Sequence, residues 1–231
     1  GFISTVDFSL GEEAIPNPEH QTTPESTIVQ EKLYQMVENG CEFAVVESSS
    51  HGLSKRTNRL GDVDFDVGVM MNVTSEHLEF HGTYEQYRDD KANLFENLNL
   101  FGVVNGDDKA ASLFASKTEK PVYSFIKDKT SAKEIFTENY FMTDIKSDAK
   151  GEDFSLEVIN QCDIKKLEDF RIDLPGTFNV YNSTAAAIVV SKLLNITLEE
   201  LKPALKALTP VKGRMTVVDE GQDFEVIVDY A

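Results

Sequence analysis

The sequence predicts an α/β fold: a mostly parallel, doubly wound sheet with a small antiparallel sheet attached. Three observations predict it. Short apolar runs alternate with helix-period segments along the chain, the order that builds strand–helix–strand units. The runs are almost continuously apolar, as strands covered on both faces must be. Hydrophobic residues make up 41% of the 231, enough to fill such a core, which sets aside disorder and collagen-like structure.

The first expected strand is Phe2–Val6. Thr23 is placed to N-cap a helix with Pro24 at its first position, and Asn39-Gly40 to close it. The apolar stripe of that helix is Val29, Leu33, Met36 and Val37. Strands follow at Phe43–Glu47 and Asp66–Val73. Thr83-Tyr84-Glu85-Gln86 reads as a capping box opening a second helix. Gly102–Asn105 and Val122–Phe125 are further strands. From about residue 127 to 173 the text turns polar and strand-like, with Asn139–Thr143 and Phe154–Val158 separated by Ala149-Lys150-Gly151; this is the expected antiparallel insertion. A third helix contains Ala185, Ile188, Val189 and Leu193. A fourth opens with the box Thr197-Leu198-Glu199-Glu200, and Pro203 inside it should kink it or end its regular bonding. Phe224–Asp229 is the last strand.

Lys plus Arg total 22 and Asp plus Glu total 40, a net charge of −18. That argues against long nucleic acids, whose binding rests on phosphate neutralisation. It leaves room for a nucleotide, which needs only a local positive or metal-bearing cleft. Two cysteines, Cys41 and Cys162, make no disulfide framework and no cysteine zinc site, and a reducing cytoplasm is the expected location. No apolar run approaches the ~20 residues of a membrane span. The chain opens on Gly1-Phe2-Ile3 without an initiator Met, as a segment of a longer protein would.

In open α/β sheets ligands bind beyond the carboxyl ends of the strands. Several apolar runs end there in a polar group: Glu47, Asn72, Asn105 and Asp229. Any one of these is also explained by a strand entering a loop. Glu47 follows four apolar residues and precedes Ser48-Ser49-Ser50-His51-Gly52, a place where a carboxylate could hold magnesium or cap a helix. His77 and His81 are four apart, but Leu78 stands where a zinc-hydrolase helix needs Glu. Gly82 and Thr83 argue there for a loop, and one histidine assisting magnesium fits better than zinc. Lys91 falls on the apolar stripe Tyr84, Tyr87, Leu94, Phe95, Leu98. It must either snorkel to water or meet a partner such as phosphate or metal.

Glu47-Ser-Ser-Ser-His-Gly-Leu53, Asn72-Val-Thr-Ser-Glu-His-Leu-Glu-Phe-His-Gly82 and Tyr87-Arg-Asp-Asp-Lys91-Ala-Asn-Leu-Phe95 resemble successive motifs of the Mur ligases. They are most similar to the MurE type, which adds the third residue of the peptidoglycan stem peptide. Thr22-Thr23-Pro24-Glu25, Leu174-Pro-Gly-Thr-Phe-Asn-Val-Tyr-Asn182 with Ala185-Ala186, Gly213-Arg214-Met215 and Asp229-Tyr230-Ala231 extend the resemblance over essentially the whole chain. It implies a cytoplasmic, ATP-dependent ligase of cell-wall biogenesis, serving cell shape and division. The ligase would join an amino acid, expected to be a diamino acid, to UDP-N-acetylmuramoyl-L-alanyl-D-glutamate through an acyl phosphate. A monomeric parent without membrane insertion is expected.

The resemblance also implies roles. Glu47, His77 and Lys91 become catalytic metal ligands for Mg²⁺, with Lys91 carbamylated and so anionic. Asn179 and Asn182 become ATP-base residues, Arg214 an ATP-phosphate arginine, and Asp229 an acid near the ribose. Thr22, Thr23 and Ser49 become substrate-binding residues. The arginine this family places about ten residues after the glutamate is Thr57 here, which leaves Arg56 and Arg59 as candidates. No stretch matches G-x-x-x-x-G-K-[ST], the loop that cradles ATP phosphates. The resemblance therefore implies that residues 1–231 are a central ATP-binding domain truncated at both ends, lacking its first strand, phosphate loop and first helix, and inactive alone. Two other readings stand beside it: a sister amide ligase of the folylpolyglutamate or cyanophycin type, or a non-catalytic module binding nucleotide or UDP-sugar.

Overall fold

The computed structural model describes residues 1–18, 21–74, 76, 78–160, 163–211, 216–218, 220–224 and 226–228. They form two compact units, one of residues 1–68, 73–100 and 116–120, the other of residues 69–72, 101–115 and 121–231.

In the first unit four short strands form a sheet: β1 (Phe2–Ile3), β2 (Asp7–Ser9), β3 (Ile15–Pro16) and β4 (Val45–Val46), in the order β3-β2-β1-β4. β1 runs parallel to β4 and antiparallel to β2. Of the expected strand Phe2–Val6 only Phe2–Ile3 is strand, and the chain then turns into β2. Ser4 turns the chain, its N–H and hydroxyl both donating to the Asp7 carbonyl at 3.1 and 2.8 Å. Such side-chain bonding to nearby backbone is how Ser competes with extended structure.

Helix α1 (Ser26–Glu38) covers this sheet, with Val29 and Met36 in a core shared with Ile3 and Leu60. Two expectations need correction. Thr23 does not cap α1; Glu25 holds the N-cap position without a side-chain bond, because the Thr23 hydroxyl is spent elsewhere. Val37 lies outside the buried stripe, at 68% exposure. At the other end Gly40 adopts φ +75°, the left-handed close that glycine permits.

Beyond β4 come the one-turn helix α2 (Ser50–Leu53), strand β5 (Val67–Met70), the one-turn helix α3 (Leu78–His81) and α4 (Tyr84–Ala92), which runs into a 3₁₀ turn at Asn93–Phe95. The segment read as loop before Gly82 therefore contains a helical turn. Gly82 ends it at φ +81° while donating to the Leu78 carbonyl at 2.8 Å. Thr83 caps α4 as expected, accepting from the Gln86 N–H. The stripe through Tyr87, Phe95 and Leu98 is buried.

The second unit is built on β6 (Phe101–Asn105), β7 (Val122–Ile126), β8 (Glu138–Asp148), β9 (Gly151–Ile159) and β10 (Ile164–Ile172). With β5 they give a six-stranded sheet ordered β10-β9-β8-β7-β6-β5. β6, β7 and β8 pair in parallel; β8, β9 and β10 pair antiparallel. The polar insertion is thereby attached edge-on, continuing the parallel sheet through β8. Helix α5 (Ala111–Ser116) follows β6, and α6 (Thr177–Leu194) packs its Val180, Ala187 and Ile188 into the core. In the fourth predicted helix the Thr197 box closes, Thr197 N–H to Glu200 at 2.8 Å. Yet α7 spans only Lys202–Lys206 and has Pro203 in its first turn. There the missing N–H costs nothing, so Pro203 starts a helix instead of kinking one. The remaining strands are β11 (Thr216–Val218) and β12 (Val226–Val228), paired antiparallel.

Arg171 on β10 ties the hairpin together. It bonds Asp148 in bidentate fashion at 2.8 and 3.0 Å and reaches Asp153 and Asp173. The Arg171 hydrogen bond, helped by the Lys150 N–H, holds the Asp148 carboxyl down at about 2. A carboxyl whose folded pKa is depressed adds stability above its unfolded value, and that stability is lost as pH falls through the folded one. Acid unfolding followed by circular dichroism is therefore expected to show a stability loss between about pH 4 and pH 2 that Arg171→Gln makes shallower.

Candidate functional site

The carboxyl end of β4 carries a hydrogen-bonded knot. Glu47 leaves the sheet there, and its Oε2 accepts from the Thr5 N–H at 2.7 Å and the Thr5 hydroxyl at 3.0 Å. The Thr5 hydroxyl meets that of Thr22 at 2.8 Å. Thr23, buried, donates its hydroxyl to the Glu47 carbonyl at 3.1 Å and accepts from the Ser49 N–H at 2.9 Å. Ser49 caps α2, its Oγ accepting from the Gly52 N–H. Thus Thr22, Thr23, Glu47 and Ser49, distant in sequence, share one turn. Glu47 is exposed, and among the described residues its Oε1 has no hydrogen bond.

The two candidate arginines separate. Arg59 reaches the threonine turn: Nη1 donates to the Thr23 carbonyl at 2.9 Å and Nη2 pairs with Glu25 at 2.5 Å, while its Nε is buried and has no hydrogen-bond partner among the described residues. Arg56 turns instead to α3, donating to the Phe80 carbonyl at 2.8 Å and lying over the Phe80 ring.

Lys91 is half-buried with its ammonium 5.0 Å from the centre of the Tyr87 ring. This cation–π contact reconciles a charge with a mainly apolar helix face. Asp90, its neighbour, is the group that goes fully inside. The pattern reading missed Asp90, His81 and Ser50 as a set. His81 bonds Asp90 through Nδ1 at 2.8 Å and Ser50 through Nε2 at 3.0 Å, and its side chain is wholly buried. The available signal was an acid three residues after the buried Tyr87.

In the second unit Asn179 and Asn182 stand on the first turns of α6. Asn179 donates to the Pro175 carbonyl at 2.9 Å, and Asn182 lies 3.4 Å from the Asn179 amide oxygen. Gly176, at φ +104°, sets the start of that helix, and the buried Glu152 accepts its N–H at 2.7 Å. Beside them a cavity of about 470 Å³ is lined by Asp107, Lys127, Asp128, Ser131 and Tyr181. Asp107 lies two residues past the end of β6 and Lys127 directly follows β7, the position where open sheets take ligands. Asp107 accepts from the Tyr181 hydroxyl at 2.8 Å and the Lys127 N–H at 2.7 Å. Burial, then the Asp107 bond, pushes the Tyr181 phenol up.

His77, Arg214 and Asp229 lie outside the described residues. Among the described residues no cluster of three or more His, Cys, Asp or Glu side chains could hold a metal. No helix among them is long and apolar enough to cross a membrane.

Residues 1–190 match the family model of the Mur ligase middle domain. The chain is 48% identical, over all of its length and 44% of the relative's, to the UDP-N-acetylmuramyl-tripeptide synthetase of Treponema denticola. It is 37% identical, over all of its length and 45% of the relative's, to the UDP-N-acetylmuramoyl-L-alanyl-D-glutamate–2,6-diaminopimelate ligase of Geobacillus kaustophilus. A solved structure of a UDP-N-acetylmuramoyl-L-alanyl-D-glutamate–2,6-diaminopimelate ligase superposes with a TM-score of 0.73 at 28% identity, over 95% of this chain and 43% of that one. The chain thus spans less than half the length of these relatives.

Proposed function

The chain belongs to the Mur ligase family, and on that premise we propose that residues 1–231 are the greater part of the central ATP-binding domain of a MurE-type ligase. The whole enzyme would work in the cytoplasm as a monomer and join an amino acid, a diamino acid by preference, to UDP-N-acetylmuramoyl-L-alanyl-D-glutamate. The observation that carries this reading is the knot at the end of β4, which gathers Thr22, Thr23, Glu47 and Ser49 from two stretches of chain.

The chemistry has two transfers. An oxygen of the substrate carboxylate attacks the γ-phosphorus of ATP and ADP leaves. The amine of the incoming amino acid then attacks the acyl carbon, inorganic phosphate leaves, and the amine gives up a proton as the amide forms. Little of this needs covalent help from the protein; positioning and charge stabilisation carry it. Thr22, Thr23 and Ser49 would hold the UDP-sugar-dipeptide. Of the two arginines Arg59 is the better placed beside them, its Nη1 donating to the Thr23 carbonyl. Asn179 and Asn182 would meet the adenine base, with Arg214 at the phosphates and Asp229 at the ribose.

The uncommitted Oε1 of Glu47 fits a hard cation, which takes carboxylate oxygens and keeps several waters. Glu47, His77 and a carbamylated Lys91 would hold Mg²⁺. When bound, the ion supplies neutralisation of the charge that develops on the transferring phosphoryl group.

The test is ADP release by the full-length protein given ATP, Mg²⁺, the UDP-dipeptide and a panel of amino acids. Release that depends on the UDP-dipeptide and on a diamino acid is expected. The 231-residue chain alone is expected to release none. Release driven by a folate and glutamate would replace the reading with the sister ligase. Binding of the UDP-sugar without turnover by the full-length protein would replace it with the non-catalytic module.

A further inference from the structure

Ser50, His81 and Asp90 form a continuous hydrogen-bonded line through the interior of the first unit. Their exposures are 2, 6 and 4%. Gln86 closes the far end, donating to the second Asp90 oxygen at 3.0 Å. His81 Nδ1 meets the Asp90 carboxylate, which only accepts, and Nε2 meets the Ser50 hydroxyl, which can donate or accept. Both ring nitrogens are thereby held, which fixes the ring in one orientation. The ring is boxed by Phe80 at 4.7 Å, Tyr87 at 5.3 Å and His51 at 5.3 Å, all edge-on.

Two features say that this line does more than hold the fold. First, apolar side chains of like volume often serve stability as well as a buried ionic or polar set does, and in several proteins what the polar set adds is conformational specificity. Second, the same segments are already fastened twice without it, and the α2 turn is closed on itself by a third bond. Asn93 donates to the Leu53 carbonyl at 2.9 Å, Arg56 to the Phe80 carbonyl at 2.8 Å, and Thr57 to the His51 carbonyl. The ends of the line are also telling. Ser50 follows directly on Ser49 and lies three residues after Glu47. Asp90 directly precedes Lys91.

We propose that Asp90, His81 and Ser50 are positioning residues that set the turn bearing Glu47 and Ser49 against the helix bearing Lys91, so that the groups meant for a divalent cation meet at one distance. The proposal rests on the ligase reading for the identity of those groups. Serine-nucleophile chemistry is not implied, since Ser50 is closed off from any substrate by its burial.

The test uses the full-length protein with Asp90→Asn and Ser50→Ala. Asp90→Asn keeps the size and replaces the acceptor-only carboxylate with an amide. Ser50→Ala removes one hydroxyl. Mn²⁺ binding in the presence of ADP, read from the electron paramagnetic resonance signal, is expected to weaken roughly 10-fold or more in both, the scale on which residues supporting a metal's ligands act. The kcat for ADP release should fall by about 10–100-fold with KM for the amino acid unchanged, as a displacement of under 1 Å would cause. Near-ultraviolet circular dichroism should stay as in the parent. Parental Mn²⁺ affinity and kcat in the folded variants overturn the proposal. So does a Ser50→Ala protein that does not fold, because the line would then be a structural element. A full-length parent that releases no ADP under any substrate overturns the ligase reading, and the Mn²⁺ measurement still decides between a positioning line and a structural one.

Discussion

Glu152→Ala is expected to lower the stability of the chain by about 2–4 kcal/mol, read as a fall in the urea midpoint. Glu152 lies at the start of β9 and is 1% exposed. Its two oxygens accept from the Ser147 hydroxyl at 2.6 Å and the Gly176 N–H at 2.7 Å. A hydrogen bond to a charged group is worth about 1.5–3 kcal/mol, and a buried donor left without a partner costs about 1–3 kcal/mol more. The Gly176 N–H sits at the N-terminus of an 18-residue helix, where the helix dipole favours an acid by a further ~0.3–1 kcal/mol. Glu152→Gln keeps an accepting oxygen and is expected to cost about half as much. Equal costs for the two variants would mean that the charge contributes little.

In the full-length protein Glu47→Gln is expected to reduce kcat for ADP release by about 10²–10³-fold, equivalent to roughly 3–4 kcal/mol of transition-state stabilisation. The thermal midpoint should move little. Glu47 is exposed, and glutamine retains an oxygen for the Thr5 N–H and hydroxyl that now hold Oε2. The substitution removes the charge a cation needs and leaves the knot in place. A variant with parental kcat would take Glu47 out of the reaction, whatever the role of its neighbours.

The parallel core was legible because burial on both faces writes itself as continuous apolar runs: Gly102–Asn105 and Val122–Phe125 lie inside the observed β6 and β7. The strands β2 and β3 were not legible, being two or three residues long in polar text. The length of α1 was visible but its cap was not, because the Thr23 hydroxyl is claimed by residues 24 and 26 positions away. Local rules cannot see such partners. The same limit applied at the candidate site. Glu47 was readable as an acid ending an apolar run. Arg59 could be told from Arg56 only by which turn each guanidinium reaches. Asp90 stood beside the conspicuous Lys91, and the helix period alone did not say which of the two charges goes inward.

The way β8 joins the sheet also bears on the order of assembly. Two residues separate β8 from β9 and four separate β9 from β10, so this meander closes small loops and has low contact order. β6, β7 and β8 must instead close crossovers of 16 and 11 residues, and such distant pairings are the slow ones. The meander is therefore expected to gain amide protection early in refolding. Its β8 edge would then stand ready as a template on which the hydrophobic strands dock in turn.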